Sequence, residues 1–214
     1  MIVVIGNTKG GVGKSTIACN IATFLANQKK DVCLVDVDKQ KTSTAFINSR
    51  DKTLPRITCV QLKGDVLDSL SDLAKKYDEI IVDAGGYDSV ELRTAILAAN
   101  KLIVPIKASQ IDLWAAEDDG GINDIAGKAK AFNRGLEIKS LLSMTPTHAM
   151  ITEKDDAKGM LEDFNNINDI LKTSISERKV YRDAFTEGRG VIEMNNDKAI
   201  IEISHLCKEI YNGI

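Results

Sequence analysis

Short apolar runs alternate along the chain with longer stretches whose apolar residues recur at helical spacing. Ile2–Gly6 is the first run, and Val32–Val37, Ile57–Gln61, Glu79–Val82, Lys101–Ile106 and Ile138–Met144 repeat it; Thr173–Ile175 adds a shorter one. Helical spacing between them predicts Ile17–Asn27, Thr42–Ser49, Val66–Lys76, Ser89–Ala99, Leu113–Arg134, Lys154–Leu171, Arg178–Thr186 and Lys198–Asn212. Strands alternating with helices imply parallel pairing, because each parallel crossover needs a long connection. Ile80-Ile81-Val82 and Leu102-Ile103-Val104 are apolar at every position, as strands covered on both faces are. The pattern predicts an α/β fold: a mostly parallel, twisted sheet of about seven or eight strands with helices on both faces. No repeat, low-complexity tract or linker interrupts it, so one domain is expected over 1–214.

Ligands of such sheets bind beyond the carboxyl ends of the strands. After the first run comes Lys9-Gly10-Gly11-Val12-Gly13-Lys14-Ser15-Thr16, which opens a helix. The spacing G-x-x-x-x-G-K-[ST] ends on Gly13-Lys14-Ser15, with Thr8 where its first glycine stands. Glycines let successive N–H groups turn toward one point, and the positive end of the following helix favours an anion there. Lys14 then reaches the β- and γ-phosphates, and the Ser15 hydroxyl ligates Mg²⁺.

Two further strand ends carry carboxylates. Asp36 and Asp38 fall on one side of the second strand, where a pair can hold the Mg²⁺ shell and orient a water. Ile80-Ile81-Val82-Asp83 is an apolar strand ending in a carboxylate, suited to Mg²⁺ held through water. Asp88 is the better cap for the next helix. Ala84-Gly85-Gly86 allows close backbone approach to a γ-phosphate and could order and release with hydrolysis.

Composition narrows the classes. The chain has 214 residues, 43% of them hydrophobic, enough for one full core. Its net charge of −3 gives no global attraction to nucleic acid, so DNA contact requires a local patch. Cys19, Cys33, Cys59 and Cys207 form no C-x-x-C pair, which argues against a disulfide framework or a zinc site. The apolar start lacks a basic flank and is too short for a signal peptide or a span. His148 and His205 have no partner spacing.

The octet Lys9–Thr16 resembles the deviant Walker A motif of the ParA/MinD family of P-loop ATPases. Asp36-Val37-Asp38-Lys39-Gln40 resembles its Walker A′ motif, and Ile80–Gly86 its Walker B strand and loop. The resemblance spans nearly the whole chain. Its length and the segment Arg178–Ala184 look most like the small ParF-like ParA proteins of plasmid partition. It implies a Mg²⁺-dependent ATPase, slow without its partner, with ATP/ADP and Mg²⁺ as cofactors. Lys9 would act across a dimer interface, Asp38 on the attacking water and Asp36 on the magnesium side. Lys39 departs from the family, standing where proline is frequent. Met144, Thr145 and Pro146 would wall the base on one side, and Ser176 and Arg178 on the other. Pro105–Asp112 is similar to the family's P-x-x-x-S-x-x-D entry to the interface helix; Asp112 serves equally as a helix cap. Trp114 reads as packing or as an anchor.

Lys172–Arg189 holds five cations against three carboxylates. That is a solvated helix face or, by the resemblance, a DNA patch of Lys172, Lys179, Arg182 and Arg189. The implied role is ATP-dependent partition of plasmid or chromosomal DNA. The implied partners are a second copy when ATP is bound, non-specific DNA and a centromere-binding adaptor. The expected place is the cytoplasm, on the nucleoid. Because the first strand begins at Ile2, no N-terminal DNA-reading domain is expected. A MinD-type membrane-cycling ATPase is the alternative; Glu202 and Glu209 against Lys208 on the last helix speak against it, since a membrane helix needs a basic polar face. Other P-loop classes stay open: a metabolic or metal-carrier protein, or an adaptor that binds ATP without hydrolysing it.

Overall fold

The computed structural model describes residues 1–107, 120–147 and 151–213. Six strands form one parallel sheet: β1 (Ile2–Ile5), β2 (Val32–Asp36), β3 (Thr58–Gln61), β4 (Glu79–Asp83), β5 (Lys101–Lys107) and β6 (Glu137–Ser143). Their order is β3-β2-β4-β1-β5-β6, all parallel, with β1 between the two crossover partners β4 and β5. The described helices are α1 (Lys14–Asn27), α2 (Thr42–Ser49), α3 (Leu67–Leu73), α4 (Val90–Ala98), α5 (Ile122–Phe132), α6 (Ile151–Glu162), α7 (Lys179–Thr186) and α8 (Asp197–Ile210).

Strand alternation divides the core into two layers. Val4, Cys33, Val35, Ile80, Val82, Leu102 and Val104 pack with residues of α3, α4, α5 and α6 on one face. Val3, Ile5, Val32, Leu34, Ile81 and Ile103 pack with α1, α2, α7 and α8 on the other. The central strands are apolar throughout because both sides are covered. Parallel register places Asp36 directly opposite Asp83, at the carboxyl ends of β2 and β4.

Three expectations are corrected. Among the described residues the sheet has six strands, not the seven or eight expected. Thr173–Ile175 forms no strand: Leu171 N–H bonds Ser140 O and Ile175 N–H bonds Leu142 O, but Lys172 and Thr173 donate their N–H groups to the Glu209 carboxylate of α8. A charged acceptor outcompetes a neutral ladder carbonyl for those donors. Third, the helix expected over Lys154–Leu171 ends at Glu162. Beyond it, Asn166 is held by Asn123 of α5 through two hydrogen bonds of 3.1 Å, so a tertiary contact takes the groups a continuing helix would use. Ser109, Asp112, Trp114 and His148 lie outside the described residues.

Candidate nucleotide-binding site

The loop between β1 and α1 turns on two glycines in the left-handed region, Gly11 at φ 70° and Gly13 at φ 84°, where a side chain would strain the backbone. Gly13 is the N-cap of α1, and no side chain caps that helix. Its first N–H groups therefore stay available to an anion at the positive end of the helix dipole. Lys14 folds back over the loop, its Nζ donating to Lys9 O at 2.6 Å. Ser143, at the end of β6, fixes the loop from beneath by donating to Val12 O at 2.8 Å.

This loop forms one wall of a cleft of about 530 Å³. The segment after β2 supplies Asp38, Lys39, Gln40 and Thr42, and the segment after β4 supplies Gly86 and Tyr87. Gly86 is required there: a Cβ would lie 2.9 Å from Gly10 Cα and 3.2 Å from Lys14 Nζ. Lys39, unexplained by sequence, places its ammonium 5.0 Å from the centroid of Tyr87, a cation–π contact.

The three aspartates differ in what they touch. Asp38 accepts Gln40 N–H at 3.1 Å and faces the cleft. Asp36 is buried and has both oxygens engaged, Oδ1 by Asp38 N–H and Oδ2 by the N–H and Oγ1 of Thr44. Asp83 is fully buried; Oδ2 accepts the Ser43 hydroxyl at 2.6 Å, while Oδ1 has no partner among the described residues. Burial pushes the Asp83 carboxyl up to about 7, the Asp36 and Asp38 charges add to this, and the Ser43 and Ser15 hydroxyls oppose it. Burial likewise lowers Lys14, against the pull of Asp83 and Asp38. An orphaned anionic oxygen beside the Ser15 hydroxyl fits Mg²⁺, which takes oxygen ligands and retains waters of its own.

A second, smaller pocket of about 100 Å³ adjoins the cleft through Gly13 and Thr16. It brings together Ser143 and Met144 with Ser176, Arg178 and Arg182, so both expected walls of a base pocket meet there. Thr145 is buried beneath it and pairs with Ser176 by a bridge, whereas Pro146 is exposed. Met144 takes φ 51°, rare for a side chain of its kind, which turns the chain out of β6 at the pocket. The far wall is set by Glu202 of α8, which accepts from Arg178 Nη2 at 2.7 Å, Arg178 Nε at 3.1 Å and Tyr181 OH at 3.0 Å.

Two of the four basic candidates face carboxylates. Lys172 is exposed before α7, Lys179 faces Asp183 at 3.3 Å, Arg189 faces Glu187 at 3.6 Å, and Arg182 lies at the base pocket. The ammonium of Lys9 has no partner among the described residues. Sequence reading missed Ser43, Thr44, Tyr87 and Glu202. Only Glu202 had any signal, as a carboxylate on the otherwise apolar-striped last helix.

The CobQ/CobB/MinD/ParA nucleotide binding domain matches residues 3–191. The chain is 26% identical over 213 residues to maintenance of carboxysome distribution protein A of Halothiobacillus neapolitanus, covering 96% of this chain and 94% of that one. It is 26% identical over 200 residues to protein ParA of Rhizobium radiobacter, covering 91% and 86%. Its backbone superposes on an ATP complex of a Cyanothece McdA variant with a TM-score of 0.80 at 17% identity, over 100% of this chain and 96% of that one, a likeness of fold. With its deviant phosphate loop, Asp38 and the Gly86–Tyr87 turn around one cleft, the chain belongs to the CobQ/CobB/MinD/ParA nucleotide-binding family, among the ParA/MinD-type ATPases.

Proposed function

We propose that the chain is an ATP-driven switch for DNA partition. ATP lies with its phosphates in the larger cleft and its base against Met144 and Arg178. The observation that carries this reading is the convergence of Lys14, Ser15 and Asp38 on a cleft that adjoins a base-sized pocket, with the orphaned Asp83 oxygen buried behind it. Lys14 neutralises charge on the terminal phosphates, and Asp38 orients a water for in-line attack. Mg²⁺, held by Ser15 and through water by Asp83, offsets the charge of the phosphates.

Lys9 reaches a second copy's nucleotide, so ATP joins two chains face to face with their Gly85–Gly86 loops near the interface. The DNA surface consists of Lys172, Lys179, Arg182 and Arg189. Two of these cations already face carboxylates, so one chain binds DNA weakly. Two aligned patches on a dimer act together through effective concentration. An adaptor that marks the cargo stimulates hydrolysis and releases the dimer. The names of the relatives, which refer to carboxysome distribution and to ParA, support a role in placing cargo.

Co-sedimentation with DNA and with anionic liposomes, each with ADP, ATP and no nucleotide, tests the reading. The expected result is DNA binding only with ATP, falling steeply with salt. Binding to liposomes and not to DNA would replace partition by membrane cycling.

A further inference from the structure

We infer that Ser43 is a positioning residue for the Asp83 carboxylate, and that it ties the first turn of α2 to the cation side of the nucleotide site. The inference rests on the nucleotide and Mg²⁺ reading above. Asp36 and Asp83 are register partners, so two carboxylates meet side by side in a buried setting. Three of their four oxygens are engaged within the chain: Asp36 Oδ1 by Asp38 N–H, Asp36 Oδ2 by Thr44, and Asp83 Oδ2 by Ser43. The fourth, Asp83 Oδ1, completes no hydrogen bond among the described residues, although the Ser15 hydroxyl lies near the carboxylate.

Consecutive residues of one helix turn, Ser43 and Thr44, thus each take one aspartate. Behind Ser43 lies Cys19 of α1, its Sγ 3.3 Å from Ser43 Oγ, and both residues are fully buried. An ionised carboxylate only accepts, so the Ser43 proton goes to Asp83 and the Cys19 thiol donates to Ser43. The chain Cys19–Ser43–Asp83 therefore has a direction. It fixes the rotation of the carboxylate so that Oδ1, not Oδ2, is the free oxygen. Without it the carboxylate can turn, and the oxygen offered to a hydrated cation is no longer preset.

The test separates metal affinity from nucleotide affinity. A fluorescent ATP analogue is titrated in excess EDTA, and Mn²⁺ is then titrated into the protein–ADP complex, read by loss of the free-ion EPR signal. For Ser43→Ala the expected result is metal-free nucleotide affinity within twofold of wild type and Mn²⁺ affinity weaker by about tenfold, the range of one hydrogen bond to a charged group. Ser43→Thr, which keeps the hydroxyl, should restore Mn²⁺ affinity to within a few fold. Cys19→Ala leaves the bond to Asp83 in place and should give a smaller shift in the same direction; it carries the test if Ser43→Ala does not fold. Unchanged Mn²⁺ affinity in Ser43→Ala, or equal loss of metal-free nucleotide affinity, overturns the assignment. If wild type binds the analogue in EDTA but takes up no Mn²⁺, the magnesium reading fails and the assignment with it. If wild type binds no analogue at all, the nucleotide reading itself is refuted.

Discussion

The two compartments of the site are built by different means. The phosphate cleft takes one wall from a single motif, six residues between Gly10 and Thr16, and its other two walls from the turns that directly follow β2 and β4. The base pocket joins segments more than thirty residues apart, and its outer wall is held from a third element by Glu202. Backbone amides and fixed charges dominate the first, side-chain packing and one half-buried carboxylate the second. A local motif specifies the chemistry, and tertiary contacts specify the fit. Substitutions in the cleft should therefore affect every nucleoside triphosphate alike, while substitutions around Glu202 should alter discrimination among bases.

The largest effect is expected at Asp38. Asp38→Ala should bind ATP within a few fold of wild type and hydrolyse it about 10²- to 10⁴-fold more slowly, the range for a lost general base, measured by phosphate release. Equal rates would remove Asp38 from the mechanism. Lys14→Ala removes a buried cation from the phosphates and should weaken ATP and GTP equally, by about 30- to 1,000-fold in equilibrium titration. Unequal losses would break the division between the compartments. Glu202→Ala leaves Arg178, Tyr181 and the Ser176 amide short of an acceptor; it should cost roughly 1–3 kcal/mol of stability in chemical denaturation. It should also narrow the ATP-over-GTP preference severalfold, and an unchanged preference would show that the wall does not read the base.

The smallest effect concerns the ligand-free protein. Asp83 keeps a charge where burial and two nearby aspartates disfavour it. Asp83→Asn should therefore melt a few degrees higher at pH 8 without nucleotide, a stabilisation on the order of 1 kcal/mol. It should lose cation binding at the same time. A lower melting temperature would mean that the carboxylate is satisfied in some way other than by a cation.

The ease of reading these parts follows the same division. Lys14, Ser15 and the aspartates lie in or just after apolar strands, where alternation and position at the strand end point to the site. Ser43 sits one turn into a helix, and no pattern tells which carboxylate its hydroxyl meets. Glu202 and Glu209 were legible only as acidic residues opposing Lys208 on the last helix. Instead Glu202 organises the base-pocket wall and Glu209 takes the amides of Lys172 and Thr173. The β-branched run at Thr173–Ile175 suggested another strand because propensity does not register a competing charged acceptor. Lys39 had no account until the fold brought Tyr87 under it.

That diverted segment bears on how the molecule behaves in a crowded solution. An open strand edge is a template for another chain's backbone, and β6 borders the sheet. Leu171 and Ile175 occupy its carbonyls at Ser140 and Leu142, and Glu177 that of Thr145 just beyond it, while Lys172 and Thr173 turn to Glu209 of α8. The cover is thus paired where it faces inward and irregular where it faces outward. A neighbouring strand that tried to dock on it would meet amides already committed to Glu209. The carboxylate that shortens the sheet also guards it against edge-to-edge aggregation.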